Sequence, residues 1–187
     1  MKKLLKIMIN NFDKMIVRTN KWEYIPESSF NMLYIVPQKY KGKKITLNDG
    51  TDINYDDMIG EIHIDNIKVE HIRNDLGSIF LILDSELNTL AEASMKYESF
   101  KSIKAYFGRT VLHPMLKKHG FTIIEMDKTL SRFFIRIWEN ILRIVIKKGK
   151  VRKKNYFKVA KECWISGKQI LESYYIQKGK ADEKTSV

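Results

Sequence analysis

Two periods of hydrophobic and polar positions alternate along this chain, and the switch between them separates sheet-forming from helix-forming stretches. Aromatic and branched residues fill Trp22 to Ile25 and Phe30 to Val36, split by Pro26-Glu27-Ser28-Ser29. That pattern predicts two strands joined by a turn, the second ended by Pro37. Asn48-Asp49-Gly50 predicts a hairpin within Lys43 to Tyr55, because Asp-Gly readily supplies the positive φ angles of a tight primed turn. From Met58 onward, Ile59, Ile62, Ile64, Ile67 and Val69 are interleaved with polar groups. This reads as a half-buried strand to about Ile64, then a turn at Asp65-Asn66.

Between Gly77 and Phe100 the period lengthens, and Leu83, Leu87, Leu90, Ala91 and Ser94 fall on one helical face with Asp84, Glu86 and Glu92 off it. Ala105 to His113 predicts a strand or extended turn broken at Gly108. His113-Pro114 suits a helix start, and Gly120 a C-terminal cap for the short helix Met115 to His119. Phe121 to Met126 and Lys158 to Ser166 predict strands, with the longest helix, Thr129 to Lys147, between them. Ser166-Gly167-Lys168-Gln169 has capping-box spacing, so a last helix runs from Gly167 to Tyr175. Met1 to Met15 predicts a short amphipathic helix carrying Leu4, Leu5, Met8 and Phe12 on one face. With no repeat and no linker, the expected architecture is α+β, a mostly antiparallel sheet with packed helices. It forms a single domain over residues 1–176, followed by a disordered tail over residues 177–187.

Composition adds limits. The chain has 187 residues, 44% apolar and 30% charged, enough to bury one sizeable core. Its one cysteine excludes an internal disulfide framework or a thiolate metal cluster. No run of about 18 apolar residues is present, as a spanning helix would need. The start lacks the unbroken apolar stretch and small-residue site of a signal peptide, so a cytoplasmic location is expected.

The net charge of +12 is segregated. Residues 1–50 carry +6, residues 51–100 carry −8 and residues 101–187 carry +14. Lys147 to Lys158 holds seven cations in twelve residues without a carboxylate. Lys147, Lys148, Lys150, Arg152, Lys153 and Lys154 thus form a candidate surface for an anionic membrane, or simply a solvated loop. Nucleic acid is the weaker alternative, since no recognition motif accompanies the charge. The helix Thr129 to Lys147 is apolar over most of its circumference, as fits a core helix or one pressed into a bilayer interface. That keeps a peripheral membrane role in view.

The histidines, His63, His71, His113 and His119, match no zinc-ligand spacing. His63 points opposite to Ile62 and Ile64, and His113 stands at a strand-to-helix junction. Imidazole titrates near neutrality, so the two form a candidate general acid/base pair. Cys163, flanked by Trp164, reads as a buried inert thiol. No nucleophile elbow, P-loop or dinucleotide fingerprint is present, and the residues leave any cofactor unknown.

Three segments resemble the YkoP-like family of small bacterial proteins: Asp56 to Asn66, with Asp56 where the family pattern has glycine; Gly108 to His113 with His119-Gly120-Phe121; and Cys163 to Ser166. The resemblance implies an association with envelope polysaccharide or glycolipid, since related domains accompany polysaccharide deacetylases and glycosyltransferases. The polar positions it carries over are His63, Asn66, Arg109, His113 and Ser166. If their strands are neighbours, His63, Asn66, Arg109 and His113 line one pocket for an anionic or sugar-like group, with arginine as a bidentate anion contact. His119 to Ile124 also resembles, more faintly, the C-terminal part of coenzyme A-dependent acyltransferases. The expected function is a membrane-peripheral accessory protein binding an anionic glycolipid or cell-wall precursor. The alternatives are a transferase-like enzyme using His63 and His113, and nucleic-acid binding through Lys147 to Lys158.

Overall fold

The structure is a computed structural model that describes residues 22–65, 76–110, 113–126 and 160–185, with single positions 15, 18, 19 and 68. The expected helix Met1 to Met15, but for Met15 itself, the expected helix Thr129 to Lys147, the basic run after it and Asn66 lie outside the described residues. In chain order the elements are β1 (Glu23–Tyr24), β2 (Leu33–Lys39), β3 (Ile45–Thr46), β4 (Asp52–Ile53), β5 (Met58–Ile64), α1 (Leu76–Lys96) and α2 (Glu98–Lys101). Then come β6 (Ala105–Thr110), α3 (His113–Leu116), a 3-10 turn (Lys117–His119), β7 (Thr122–Ile124), β8 (Lys161–Ser166) and α4 (Gly167–Thr185).

Six strands form one mixed sheet in the order β1-β2-β5-β6-β8-β7, and β3-β4 is a separate hairpin. All neighbours are antiparallel except β5 and β6. Parallel neighbours need a crossover, and α1 supplies it. The fold is therefore α+β, a single domain of sheet with packed helices.

Register and the two-residue strand period sort the side chains by face. Val36 lies opposite Glu61, Glu61 opposite Phe107, Arg109 opposite Glu162 and Thr122 opposite Trp164. These residues share one face with Tyr34, Gln38, His63 and Ser166. On the other face Leu33, Ile35, Tyr106, Cys163 and Ile165 pack with Leu83, Leu90 and Ala91 of α1 and Ile170 of α4. The first face holds a smaller core, in which Ile53 and Leu47 of the hairpin cover Ile59, Ala105, Phe107 and Trp164.

Several local expectations are corrected. Strand β2 continues through Pro37, which pairs in register with Gly60. β1 pairs with Tyr34 and Ile35, so among the described residues β2 beyond them is an edge, where a residue without an N–H is tolerated. Strand β6 likewise runs through Gly108 without a break. The hairpin turn is not a two-residue primed turn, because Leu47 N–H bonds to Thr51 C=O at 2.9 Å around a three-residue loop. Gly50 takes φ 80 there, while Asp49 is not among the positive-φ residues. Asp56, standing where the family pattern has glycine, adopts φ 67, a left-handed conformation that aspartate enters more readily than most residues. Glu86, expected off the buried face, is 1% exposed. Its carboxylate accepts from the Ser28 hydroxyl and, at 3.2 Å, from Leu33 N–H, which satisfies it inside the core. The last helix continues past Tyr175 to Thr185, into the stretch expected to be a disordered tail.

The hairpin is latched to the sheet by polar contacts at its tip. Asn48 N–H donates to Thr122 Oγ1 at 2.8 Å, and the Ser166 hydroxyl donates to Asp49. The Ser166 oxygen also accepts from Gln169 N–H at 2.9 Å, capping α4. Only half of the expected capping box forms, because the Gln169 amide reaches instead to Gly120 C=O at 3.1 Å. Burial pushes the Asp49 carboxyl up, but hydrogen bonds from Ser166 and from the N–H and hydroxyl of Thr51 outweigh it, so its pKa lies below the ordinary carboxylate value. Such a group stabilises the fold above its unfolded pKa of about 4 and loses that contribution as pH falls through the native value. Ser166→Ala removes the helix cap and a donor to Asp49 together. It should lower stability by about 2 kcal/mol in urea unfolding at neutral pH. The variant should also lose less further stability than the parent on acidification below pH 4, because Asp49 then titrates closer to its unfolded value.

Candidate functional site

The two-residue period places Glu61 and His63 of β5, Phe107 and Arg109 of β6, Glu162 and Trp164 of β8 and Gln38 of β2 on the sheet face not packed against α1 and α4. Beyond the hairpin-covered core these side chains join into one polar cluster. Arg109 lies at its centre. Its Nη1 donates to Glu61 Oε1 at 2.7 Å and its Nε to Glu162 Oε1 at 3.1 Å. The second oxygen of each carboxylate is also used: Gln38 Nε2 donates to Glu61 at 2.9 Å and Trp164 Nε1 to Glu162 at 3.1 Å. The guanidinium carbon stands 5.0 Å from the centroid of the Phe107 ring. Side-chain exposures of 32% for Arg109, 19% for Glu61 and 21% for Glu162 make the cluster half-buried and reachable from one side.

His63 adjoins this cluster. Its Nε2 is 3.8 Å from Glu61 Oε1, too far for a hydrogen bond but close enough for charge to be felt. The imidazole stacks on Trp22, with ring centroids 3.8 Å apart and planes at 19°. Burial lowers the His63 pKa; Glu61 opposes this and the Arg109 charge adds to it, so the ring is neutral at pH 7. Beside it, Tyr24 stacks on Tyr34 at 4.2 Å, and the Tyr24 hydroxyl donates to Asp65 at 2.6 Å, where β5 ends. Burial, followed by this carboxylate, raises the Tyr24 pKa, so the phenol stays protonated.

Of the residues expected to form the site, the described structure brings His63 and Arg109 together and places Ser166 elsewhere. Ser166 is fully buried, with its hydroxyl committed to Asp49 and Gln169 N–H, as suits a structural cap. His113 opens α3 beyond residues 111–112, which are outside the described set, so its relation to His63 is not given by the strand register. Asn66 and the cations from Lys147 to Lys154 are also outside it. Among the described residues no three histidine, cysteine or acidic side chains gather as a metal ion would require, and no helix is long and apolar enough to cross a membrane.

Glu61, Glu162, Gln38 and Trp22 were missed in the sequence. The signal that could have found two of them is spacing: Glu61-x-His63 and Glu162-x-Trp164 each put two groups on one sheet face. Arg109 is already engaged within the chain. Two carboxylates hold its guanidinium through Nε and Nη1, and an anionic ligand would compete with them for it. With His63 neutral, two glutamates and one arginine leave the cluster at about −1, which disfavours an anion.

Arg109→Gln leaves two half-buried carboxylates facing each other without a cation, and should cost at least about 2 kcal/mol in urea unfolding. Arg109→Lys keeps the charge but loses the two-pronged geometry, so it should fall between parent and glutamine variant. His63 adds a pH dependence of defined sign. Its pKa is lower in the folded than in the unfolded chain, so below about pH 6.5 the unfolded chain binds more protons and stability falls. Thermal midpoints measured between pH 7 and 5 should decline less in His63→Gln than in the parent.

The YkoP domain family matches residues 2–174 of the chain. The uncharacterised protein YkoP of Bacillus subtilis (strain 168) is 26% identical over 106 residues, covering 53% of this chain and 58% of that relative. The chain thus aligns with little more than half the length of that curated relative, and no solved structure matches it. With the whole described sheet, all of α1 and the first eight residues of α4 inside the matched span, the chain belongs to the YkoP family.

Proposed function

We propose that the polar cluster on the open sheet face binds a hydroxyl-bearing, sugar-like ligand of the cell envelope. The supporting observation is the half-buried set Glu61–Arg109–Glu162, with Gln38 and neutral His63 at its edges. A purely structural role does not call for these groups, because well-packed apolar side chains would hold three strands together at least as well. A carboxylate has about four acceptor positions, so Glu61 and Glu162, each accepting two bonds, can still receive hydroxyls. The net negative character favours neutral hydroxyls over phosphates. The context of polysaccharide-processing neighbours, implied by the family resemblance, supports the same ligand class. A lipid-linked form of that ligand and a cytoplasmic, membrane-peripheral location belong to the same proposal and draw on the basic run at Lys147 to Lys158.

A second reading is an enzyme that uses His63 as general base. It is favoured by the lowered pKa of the imidazole and the carboxylate 3.8 Å from its Nε2, since a base must be unprotonated at working pH. His113 stays with this reading as its proposed partner.

Calorimetric titration with neutral oligosaccharides, a sugar phosphate and vesicles containing anionic lipid separates these possibilities. Neutral sugars should bind, a phosphate on the same sugar should add nothing, and Glu61→Gln should weaken binding about tenfold, the equivalent of losing one charge-assisted hydrogen bond. Binding confined to the phosphate or the anionic vesicles would overturn the sugar reading. If the protein is an enzyme, His63→Gln should abolish turnover while sugar affinity and melting temperature stay near parental values.

A further inference from the structure

The opposite side of the sheet carries a groove that the cluster above does not use. It runs between α1 and α4, and its inner end is a hollow of about 200 Å³ closed by the 3-10 turn at Lys117–His119. Three elements send polar groups into this hollow: Asp84 and Asn88 from α1, His119 from the turn, and Ser173 and Gln177 from α4. Leu87, Ile165 and Ile170 supply an apolar wall. His119 Nδ1 stands 3.2 Å from Asp84 Oδ1, which fixes the ring orientation and selects the tautomer protonated at Nδ1. The turn bearing His119 is itself held, since Gly120 takes φ 85 and its carbonyl accepts from Gln169 of α4.

A hydrogen bond of 2.8 Å from Asn88 to Gln177 crosses the groove. Beyond it the groove widens into a second, shallow and largely open hollow lined by the same two amides with Glu92, Tyr174 and Lys178. There the Tyr174 hydroxyl donates to Glu92 at 2.9 Å, and Lys178 approaches the Tyr174 oxygen at 3.4 Å. The outer hollow pairs one carboxylate with one ammonium, and the inner one holds a single carboxylate beside the imidazole. Amides, carboxylates and an imidazole over an apolar wall suit a ligand that alternates hydroxyls with C–H surface.

We infer that this groove is a second ligand site, taking a neutral, hydroxyl-rich chain such as an oligosaccharide, with one unit in each hollow and the Asn88–Gln177 pair between them. The site is independent of the sheet-face reading: Ile165 looks toward the helices, while its neighbours Trp164 and Ser166 look the other way, so the sheet separates the two.

Residue-resolved NMR on the full chain tests this, with maltotriose and chitotriose as probes and glucose and N-acetylglucosamine as their single-unit controls. The side-chain amides of Asn88 and Gln177 should shift with at least one trisaccharide, at an affinity at least tenfold above its single unit. Asp84→Asn and His119→Gln should each weaken that binding fivefold or more. Gln177→Ala, on an exposed turn of α4, provides the same readout should His119→Gln unfold. Silence of both amides toward all four probes, equal affinity for chain and single unit, or unchanged affinity in the variants would overturn the inference. Shifts confined to Gln38, Arg109 and Trp164 would overturn it while leaving the sheet-face site standing.

Discussion

The guanidinium of Arg109 is the constraint around which the open face of the sheet is arranged. The parallel ladder between β5 and β6 is short, from Ile59 opposite Ala105 to Glu61 opposite Phe107. Past that point the side chain of Arg109 continues the connection, reaching Glu61 on one side and Glu162 on the other. One residue thus ties three neighbouring strands at the place where backbone pairing between two of them ends. Both carboxylates depend on it, because a half-buried carboxylate without a cation carries a desolvation penalty that its remaining donors, Gln38 and Trp164, only partly offset.

This arrangement is possible because the two faces of the sheet are closed differently. On one face α1 and α4 bury a continuous apolar surface, and even the buried Glu86 there is satisfied locally. On the other, among the described residues, the β3-β4 hairpin covers the end where Ala105, Phe107 and Trp164 lie, and Asp49 with Ser166 holds its tip in place. Trp164 belongs to both regimes: its ring stacks on Phe107 at 4.5 Å in the small core, while its N–H supports Glu162. The rigid aromatic floor is therefore continuous with the polar cluster, which gives the charged side chains fixed geometry without enclosing them.

Much of the fold was legible because period and punctuation are local signals. The alternation of Ile62 and Ile64 with Glu61 and His63 marked β5, the face of Leu83, Leu90 and Ala91 marked α1, and Gly120 marked the end of the 3-10 turn. What failed depended on partners distant in sequence. Pro37 reads as a stop unless one knows that β1 leaves β2 an edge at that point. Glu86 reads as solvent-facing unless Ser28 and Leu33 are known to lie against it. The site followed the same rule. His63 and Arg109 were recognisable as residue types at strand ends, but Glu162 is 101 positions from Glu61, and nothing local says that β8 lies beside β6. Ser166 was misleading for a related reason: the capping signal was genuine, and the hydroxyl is used up in satisfying it.

Global charge proved a poor guide to local chemistry. A chain at +12 suggests anionic partners, and an arginine near two histidines suggests an anion cradle. Yet of the strands that build this face only β5 comes from the acidic middle of the sequence, and Glu162 stands in the most basic third, so that in the cluster Glu61 and Glu162 outnumber the one arginine between them. An electrostatic field that brings an anionic surface toward the molecule acts over about 8–10 Å at physiological salt, whereas hydrogen-bond geometry selects at contact. On the proposed reading the basic stretches and the Arg109 cluster make separable demands on a ligand: charge attraction at a distance for one part, neutral hydroxyls at close range for the other. Under that proposal a sugar carried on an anionic lipid meets both demands at once, and a free phosphate meets only the first.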